Sequence, residues 1–163
     1  MAQARNRVAA QRPGDEISEL DKRIIEHLQQ DGRRPFTQIA AELGVSEAAV
    51  RARTNRMVER GILQIVGVTD PLKLGFHEQA MIGIRCEHDK LIEVAEAVAL
   101  FPEVDYVVIT AGSYDLLIET VCEDNNALLT FLAERLRRVD GVRETETFVY
   151  LRMVKQTYQW GTR

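Results

Sequence analysis

The segment from Gln38 to Gly61, QIAAELGVSEAAVRARTNRMVERG, constrains this chain more than any other. Ile39, Ala40 and Leu43 fall at helical spacing, Gly44 tolerates a left-handed turn, and Ser46 is a helix-capping residue type. A second apolar stripe, Val50, Thr54 and Met57, then runs to a stop at Gly61. Two short helices are thus joined by the turn Leu43-Gly44-Val45-Ser46, which holds the later helix clear of the body. Thr37 is expected to cap the earlier one. Upstream, Ser18 three residues before Asp21 forms a capping-box pattern, and Leu20, Ile24, Ile25 and Leu28 define a first helix that Asp31-Gly32 stops. Downstream, Ile62–Thr69 (ILQIVGVT) reads as a strand. Residues 17–66 therefore predict a winged helix-turn-helix, preceded by a flexible tail over residues 1–16.

With the Val50 stripe turned to the core at about 100° per residue, Ala48, Arg51, Ala52, Asn55 and Arg56 point outward and Arg53 lies on the flank. This face suits the major groove of double-stranded DNA. Arg donates two hydrogen bonds to guanine, Asn pairs with adenine, and the small Ala48 and Ala52 permit close approach or contact with a thymine methyl. Ser46 and Glu47, at the start of the helix, complete the candidate DNA-binding set. Arg53, Arg56 and Arg60 suit phosphate contacts, which set register without reading bases. The alternative is a solvated helix face.

The net charge of −4 opposes DNA binding only until it is divided along the chain. Residues 1–66 hold 11 Lys and Arg against 9 Asp and Glu, and the remainder hold 10 against 16. The basic groups gather at Arg51, Arg53, Arg56 and Arg60, with Arg5, Arg7 and Arg12 in the leading tail. Because charge attraction reaches about 10 Å at moderate salt, a local cluster can hold DNA while acidic surface faces elsewhere.

Asp70-Pro71 interrupts the pattern, and LKLGF completes a linker over residues 67–76. The second module, 77–163, reads as strand Gln79–Cys86, helix Lys90–Leu100 capped by Asp89, strand Val104–Thr110 and the loop Ala111-Gly112-Ser113-Tyr114. It continues as strand Asp115–Val121, helix Asn126–Val139 with Leu128, Leu129, Leu132 and Leu136 inward, and strand Arg143–Leu151. That order predicts a ferredoxin-like α/β sandwich, so the chain as a whole is α+β. Apolar residues on both sides of the central strands call for a second sheet against the first, hence a homodimer. The tail Met153–Arg163, with Tyr158 and Trp160, is available as a further strand or an exchanged arm.

No apolar run approaches the roughly 18 residues that cross a bilayer, and the first 16 residues lack the apolar block of a secretory signal, so a cytoplasmic protein with no membrane partner is expected. Cys86 and Cys122 stand singly in apolar stretches and read as buried structural thiols. Met57, Met81 and Met153 read as core fillers. His27, His77 and His88 are scattered, and the chain has no nucleophile elbow, phosphate-binding glycine loop or paired carboxylates on one helical face. Neither a metal, a cofactor nor a catalytic residue is expected.

Five segments together, LDKRIIEHLQQDGR, QIAAELGVSEAAVRARTNRMVERGIL, GVTDPLKLGF, AGSYDLL and DGVRETETFVYLRMVKQ, resemble the Lrp/AsnC family of feast/famine transcriptional regulators over about residues 17–156. The resemblance implies an effector domain that dimerises through its sheets, dimers that assemble into octameric rings, and small effectors, commonly amino acids, bound between dimers. It places the effector site at Ile109, Gly112, Ser113, Tyr114, Asp115, Thr145, Thr147 and Val149. A Gly-rich turn offers N–H groups to a carboxylate, and Asp115 offers negative charge to an ammonium. The alternative is a plain hairpin turn in which Gly112 relieves backbone strain and Asp115 caps the strand. The family loop often carries an acidic residue where this chain has Ser113, which leaves the ligand open. Two further readings are an architectural DNA-binding protein indifferent to effectors, and an enzyme, since the two-domain plan also resembles that of sirohaem decarboxylases.

Overall fold

The computed structural model describes residues 17–159, 161 and 162. The tail expected over residues 1–16, with Arg5, Arg7 and Arg12, and Trp160 lie outside the described residues. The chain divides into two compact units, one running to Gly67 and including the segment from Gln156 onward, the other spanning Val68–Lys155.

In the first unit α1 (Glu19–Gln30), α2 (Phe36–Leu43) and α3 (Glu47–Glu59) pack around Ile24, Ile25, Leu28, Ile39, Val50 and Met57. The capping box at α1 is reciprocal: the Ser18 hydroxyl accepts from the Asp21 N–H, and the Asp21 carboxylate accepts from the Ser18 N–H at 3.1 Å. Gly44 stands at φ 68°, where a side chain would be strained, and it ends α2 as the tight turn requires. The Ser46 hydroxyl then accepts from the Ala49 N–H and starts α3. Thr37 does not cap α2. The helix begins two residues earlier, with Pro35 at the cap position and its φ already set near −60°, so Thr37 falls inside the first turn.

The strand expected over Ile62–Thr69 is not formed. The segment carries a strand's apolar content, but a ladder needs a neighbouring edge and none of the described residues supplies one. Ile65, Val66 and Val68 therefore remain exposed. The segment from Gln156, which sequence assigned to the second module, groups with the first unit. Gln159 Nε2 donates to the Gln29 carbonyl at 3.0 Å, and the Thr162 hydroxyl donates to Glu26.

The second unit opens with a short 3-10 turn, Pro71–Leu74, whose start is capped by the Asp70 side chain. It continues as β1 (Glu78–Cys86), α4 (Leu91–Val98), β2 (Val104–Ile109), β3 (Leu116–Cys122), α5 (Asn125–Thr130) and β4 (Val142–Val149). The sheet order is β2-β3-β1-β4, antiparallel throughout, as the ferredoxin-like reading predicts. Alternate residues Ala80, Ile82 and Ile84 of β1 and Leu116 and Ile118 of β3 meet Val94 and Val98 of α4 and Leu128, Phe131 and Leu136 in one core. The opposite face carries Met81, Leu117, Val121, Tyr106 and Phe148, half-buried or exposed.

Two helical details depart from expectation. Asp89 caps nothing; Lys90 precedes α4 and its Nζ reaches Asp140 at 2.8 Å. The helix expected over Asn126–Val139 starts at Asn125 under an Asp124 cap and gives way to a wide π-type turn at Phe131–Arg135 and a 3-10 turn at Leu136–Arg138. Phe131, 1% exposed and edge-on to Phe101 at 5.6 Å, takes the inward place and leaves Leu129 62% exposed. Both cysteines are buried and unpaired, and burial pushes their thiols up. Met57 is buried, whereas Met153 is exposed and fills no core. None of the described helices is long and apolar enough to cross a membrane.

Candidate nucleic-acid interface and ligand cavity

Helix α3 presents a shallow concavity of about 500 Å³ lined by Glu47, Ala48, Arg51, Ala52 and Asn55. Five of the eight residues singled out from sequence are thus brought together, and Ser46 stands beside them as the cap. Arg51 pairs with Glu47 one turn back, and its guanidinium lies 5.3 Å from the centre of the Phe36 ring. An exposed pair of this spacing is worth about 0.3–0.5 kcal/mol, less than the 1–3 kcal/mol of a bidentate contact between arginine and guanine, so the pair orients Arg51 without locking it.

Arg53 and Arg56 lean the other way, against the start of α1. Arg53 Nη1 donates to the Ser18 hydroxyl and to Asp21 Oδ1, both at 3.0 Å, and Arg56 Nη2 reaches Asp21 Oδ2 at 3.5 Å. Asp21 is only 3% exposed. Burial alone would raise its carboxyl, but hydrogen bonds from Ser18 and Arg53 outweigh this and hold it below the ordinary carboxylate value. One carboxylate cannot neutralise two guanidinium groups, so positive charge remains on this flank. The serine–aspartate spacing revealed the helix start, but nothing local linked Asp21 to arginines more than 30 positions away.

In the second unit the loop after β2 is closed by its own backbone. The Thr110 N–H donates to the Asp115 carbonyl at 2.9 Å, and the Thr110 hydroxyl donates to the Tyr114 carbonyl. Asp115 Oδ2 accepts from the Cys86 N–H at 2.7 Å, where the β1–β4 register slips between Arg85 and Cys86. The carboxylate therefore satisfies a backbone donor that the irregular ladder leaves over. The Tyr114 ring lies directly on Gly83, so close that a Cβ there would stand 2.6 Å from the ring. Arg85 donates from Nε to the Ser113 carbonyl at 2.9 Å and from Nη1 to Glu144 at 2.8 Å, and its guanidinium covers Tyr114 at 5.5 Å. Gly112 has neither a positive φ nor a crowded Cβ position, so it relieves no backbone strain.

Beside this loop, at the β4 edge, is a cavity of about 600 Å³. Tyr114, Thr145 and Val142 line it together with Arg85, Arg137, Arg143, Glu144 and Glu146, the two glutamates on the sheet face of Arg85 and Gly83 and Thr145 on the helix face, so that the cavity wraps the β4 edge. Of the effector set expected from the resemblance, Tyr114 and Thr145 reach the cavity. Ser113 meets its wall only through the carbonyl held by Arg85, and Gly112, Asp115 and Thr147 are not in the lining. Ile109 is exposed on β2, and Val149 pairs with Ala80 toward the other end of β4 from Val142. The three arginines escaped sequence reasoning because only strand pairing, Arg85 opposite Glu144, gathers positions so far apart.

Residues 17–58 match the AsnC-type helix-turn-helix domain, and residues 79–160 match the Lrp/AsnC ligand binding domain. An uncharacterized HTH-type transcriptional regulator of Pyrococcus furiosus is 38% identical over 146 residues, 89% of this chain and 96% of that one. The structure of E. coli AsnC superposes with a TM-score of 0.79 at 25% identity, covering 86% of this chain and 96% of that one. A transcriptional regulator from Neisseria meningitidis, solved in complex with L-methionine, superposes with a TM-score of 0.80 at 23% identity over 88% and 95% of the two chains. A helix-turn-helix unit followed by a ligand-binding module defines a transcriptional regulator. The chain belongs to the Lrp/AsnC family.

Proposed function

We propose that this regulator reads specific DNA sequences through α3 and that a small effector, an amino acid, alters its assembly or its DNA affinity. The α3 concavity carries this reading: it joins two small residues, Ala48 and Ala52, with two base-reading types, Arg51 and Asn55, on one exposed face. Arg53 and Arg56 flank it as phosphate contacts. Ser46 and Glu47 orient the start of the helix.

The effector site includes the loop Gly112–Asp115 and the β4 threonines, with Ile109 and Val149 at its margins. Homodimers form through the sheet face opposite α4 and α5. Support comes from the apolar residues on that face and from the pairing of Glu119 within it: Tyr150 bonds to Glu119, and burial, with Glu119, pushes the phenol up to about 12. Further pairing of dimers, as four dimers in a ring, sets how many α3 pairs reach one stretch of DNA, so that effector and DNA are linked through assembly in the cytoplasm.

Fluorescence anisotropy of the purified chain against the duplex upstream of its own gene, and against a random duplex, tests the first part. Preference for the cognate duplex, with affinity falling steeply as salt rises, is expected. Equal binding to both, unchanged by every proteinogenic amino acid, would instead favour an architectural DNA-binding protein. A thermal-shift screen of amino acids, L-methionine included, tests the second part.

A further inference from the structure

The cavity beside Tyr114 differs from a pocket for an apolar amino acid in what lines it. Val142 and the Tyr114 ring are its apolar members, and that ring already rests on Gly83 and against the guanidinium of Arg85. An apolar side chain would share that wall with five charged residues. Charge is plentiful. Arg85 and Glu144 neutralise each other at 2.8 Å. Arg137 makes one long hydrogen bond, 3.4 Å from Nε to the Thr145 hydroxyl, which leaves its two terminal amino groups available. Arg143 makes no ion pair with any described residue, and Glu146 likewise makes none.

The unmatched charges on the wall are therefore two guanidinium groups and one carboxylate. An α-amino acid brings one carboxylate and one ammonium, which answers one arginine and Glu146 and leaves the second arginine without a partner. A ligand with a second carboxylate fills that place. Hydrogen bonds between ionised partners are about twice as strong as neutral ones, and the planar arginine fork matches a carboxylate in a bidentate manner. We infer that this cavity binds an acidic amino acid, of the aspartate or glutamate type, with Arg137 and Arg143 each holding one carboxylate and Glu146 the ammonium. The inference rests on the effector reading above and narrows it to one chemical class.

Titration calorimetry of the full chain against L-glutamate, L-aspartate, L-glutamine, L-asparagine, L-leucine and L-methionine tests it, with Arg137→Gln and Arg143→Gln as variants. Both arginines are exposed, so the variants should melt as the parent does. One of the two acids should bind at least about tenfold more tightly than its own amide, and either variant should bring acid and amide within about threefold of each other. Tighter binding of leucine or methionine would overturn the acidic class while leaving an amino-acid effector standing. Binding by none of the six would overturn both. An acid preference that survives both substitutions would place the acid elsewhere and overturn the site.

Discussion

Arg53 Nη1 lies 3.0 Å from Asp21 Oδ1, an ion pair that ties the helix proposed to read DNA to the first turn of α1. The same carboxylate closes the capping box with Ser18 and accepts from Arg56 at 3.5 Å. Asp21 thus performs two tasks that the sequence presents separately: it starts one helix and fixes two arginines on the flank of another. Free long side chains lose rotamer entropy on meeting a phosphate, and arginines already held in place lose less.

Asp21→Asn should retain the cap but lose the charge, at a cost of about 1–2 kcal/mol in urea unfolding at neutral pH. The sign with pH follows from the direction of the shift. A carboxyl held below its ordinary value stabilises the fold above the unfolded-state pKa, and that contribution disappears as pH falls through the lower folded value. The stability gap between parent and variant should therefore close in acid, below about pH 4. A gap that stays constant from neutral pH to pH 3 would show that the charge of Asp21 is not its source.

Arg51→Ala should weaken the cognate duplex by about 1–3 kcal/mol and relax base choice at one position. Arg56→Ala should weaken cognate and random duplexes alike and reduce the salt slope by about 1. Competition binding at two salt concentrations separates the two patterns. Equal losses on both duplexes for Arg51→Ala would remove its assignment to a base.

Thr54 faces the core of the first unit, 2% exposed, and its hydroxyl has no hydrogen-bond partner among the described residues. Leaving such a group unsatisfied costs about 1–3 kcal/mol. Thr54→Val should raise the melting temperature by a few degrees and leave DNA affinity unchanged. A lower melting temperature would mean that the hydroxyl has a partner in solution.

What was legible in the sequence was local. Ser18, Gly44 and Ser46 act on backbone within a few residues, so their caps and turn could be read directly. Thr37 and Asp89 are capping types just as good. They fail because Pro35 starts α2 two residues early and because α4 begins only after Lys90, whose ammonium bonds to Asp140. The ILQIVGVT segment has strand chemistry but finds no edge to pair with among the described residues, and pairing is not written in a strand's own residues. The α3 face was found because helical period alone assembles it. The arginine-lined cavity was not, because Arg85, Arg137 and Arg143 meet only through the β1–β4 register and the turn that leads into β4.

Gly112 has open space where a Cβ would stand and a backbone conformation open to any residue. Gly112→Asp should therefore fold and melt like the parent while its added carboxylate, set in the proposed effector loop, abolishes the effector's influence on DNA binding. Asp115→Ala is a different experiment. It leaves the Cys86 N–H without its partner at the register slip, so it should cost about 1–3 kcal/mol of stability whatever the effector does. An unchanged effector response in Gly112→Asp would exclude the loop from the site.

Gly83 and Tyr114 couple the sheet face to the same loop. A methyl at position 83 would meet the Tyr114 ring at 2.6 Å, well inside contact distance, so Gly83→Ala must displace the ring from the sheet. Overpacking of this kind costs about 1–3 kcal/mol. Displacement also removes the surface on which the Arg85 guanidinium rests and loosens its hold on the Ser113 carbonyl. The variant should therefore lose both stability and ligand affinity. Adding Tyr114→Ala removes the clash, so the double variant should lose less stability than the two single losses combined, while the Tyr114 wall of the cavity stays missing. A double-mutant cycle on urea unfolding measures that coupling. Strict additivity would show that the ring does not rest on Gly83 in solution.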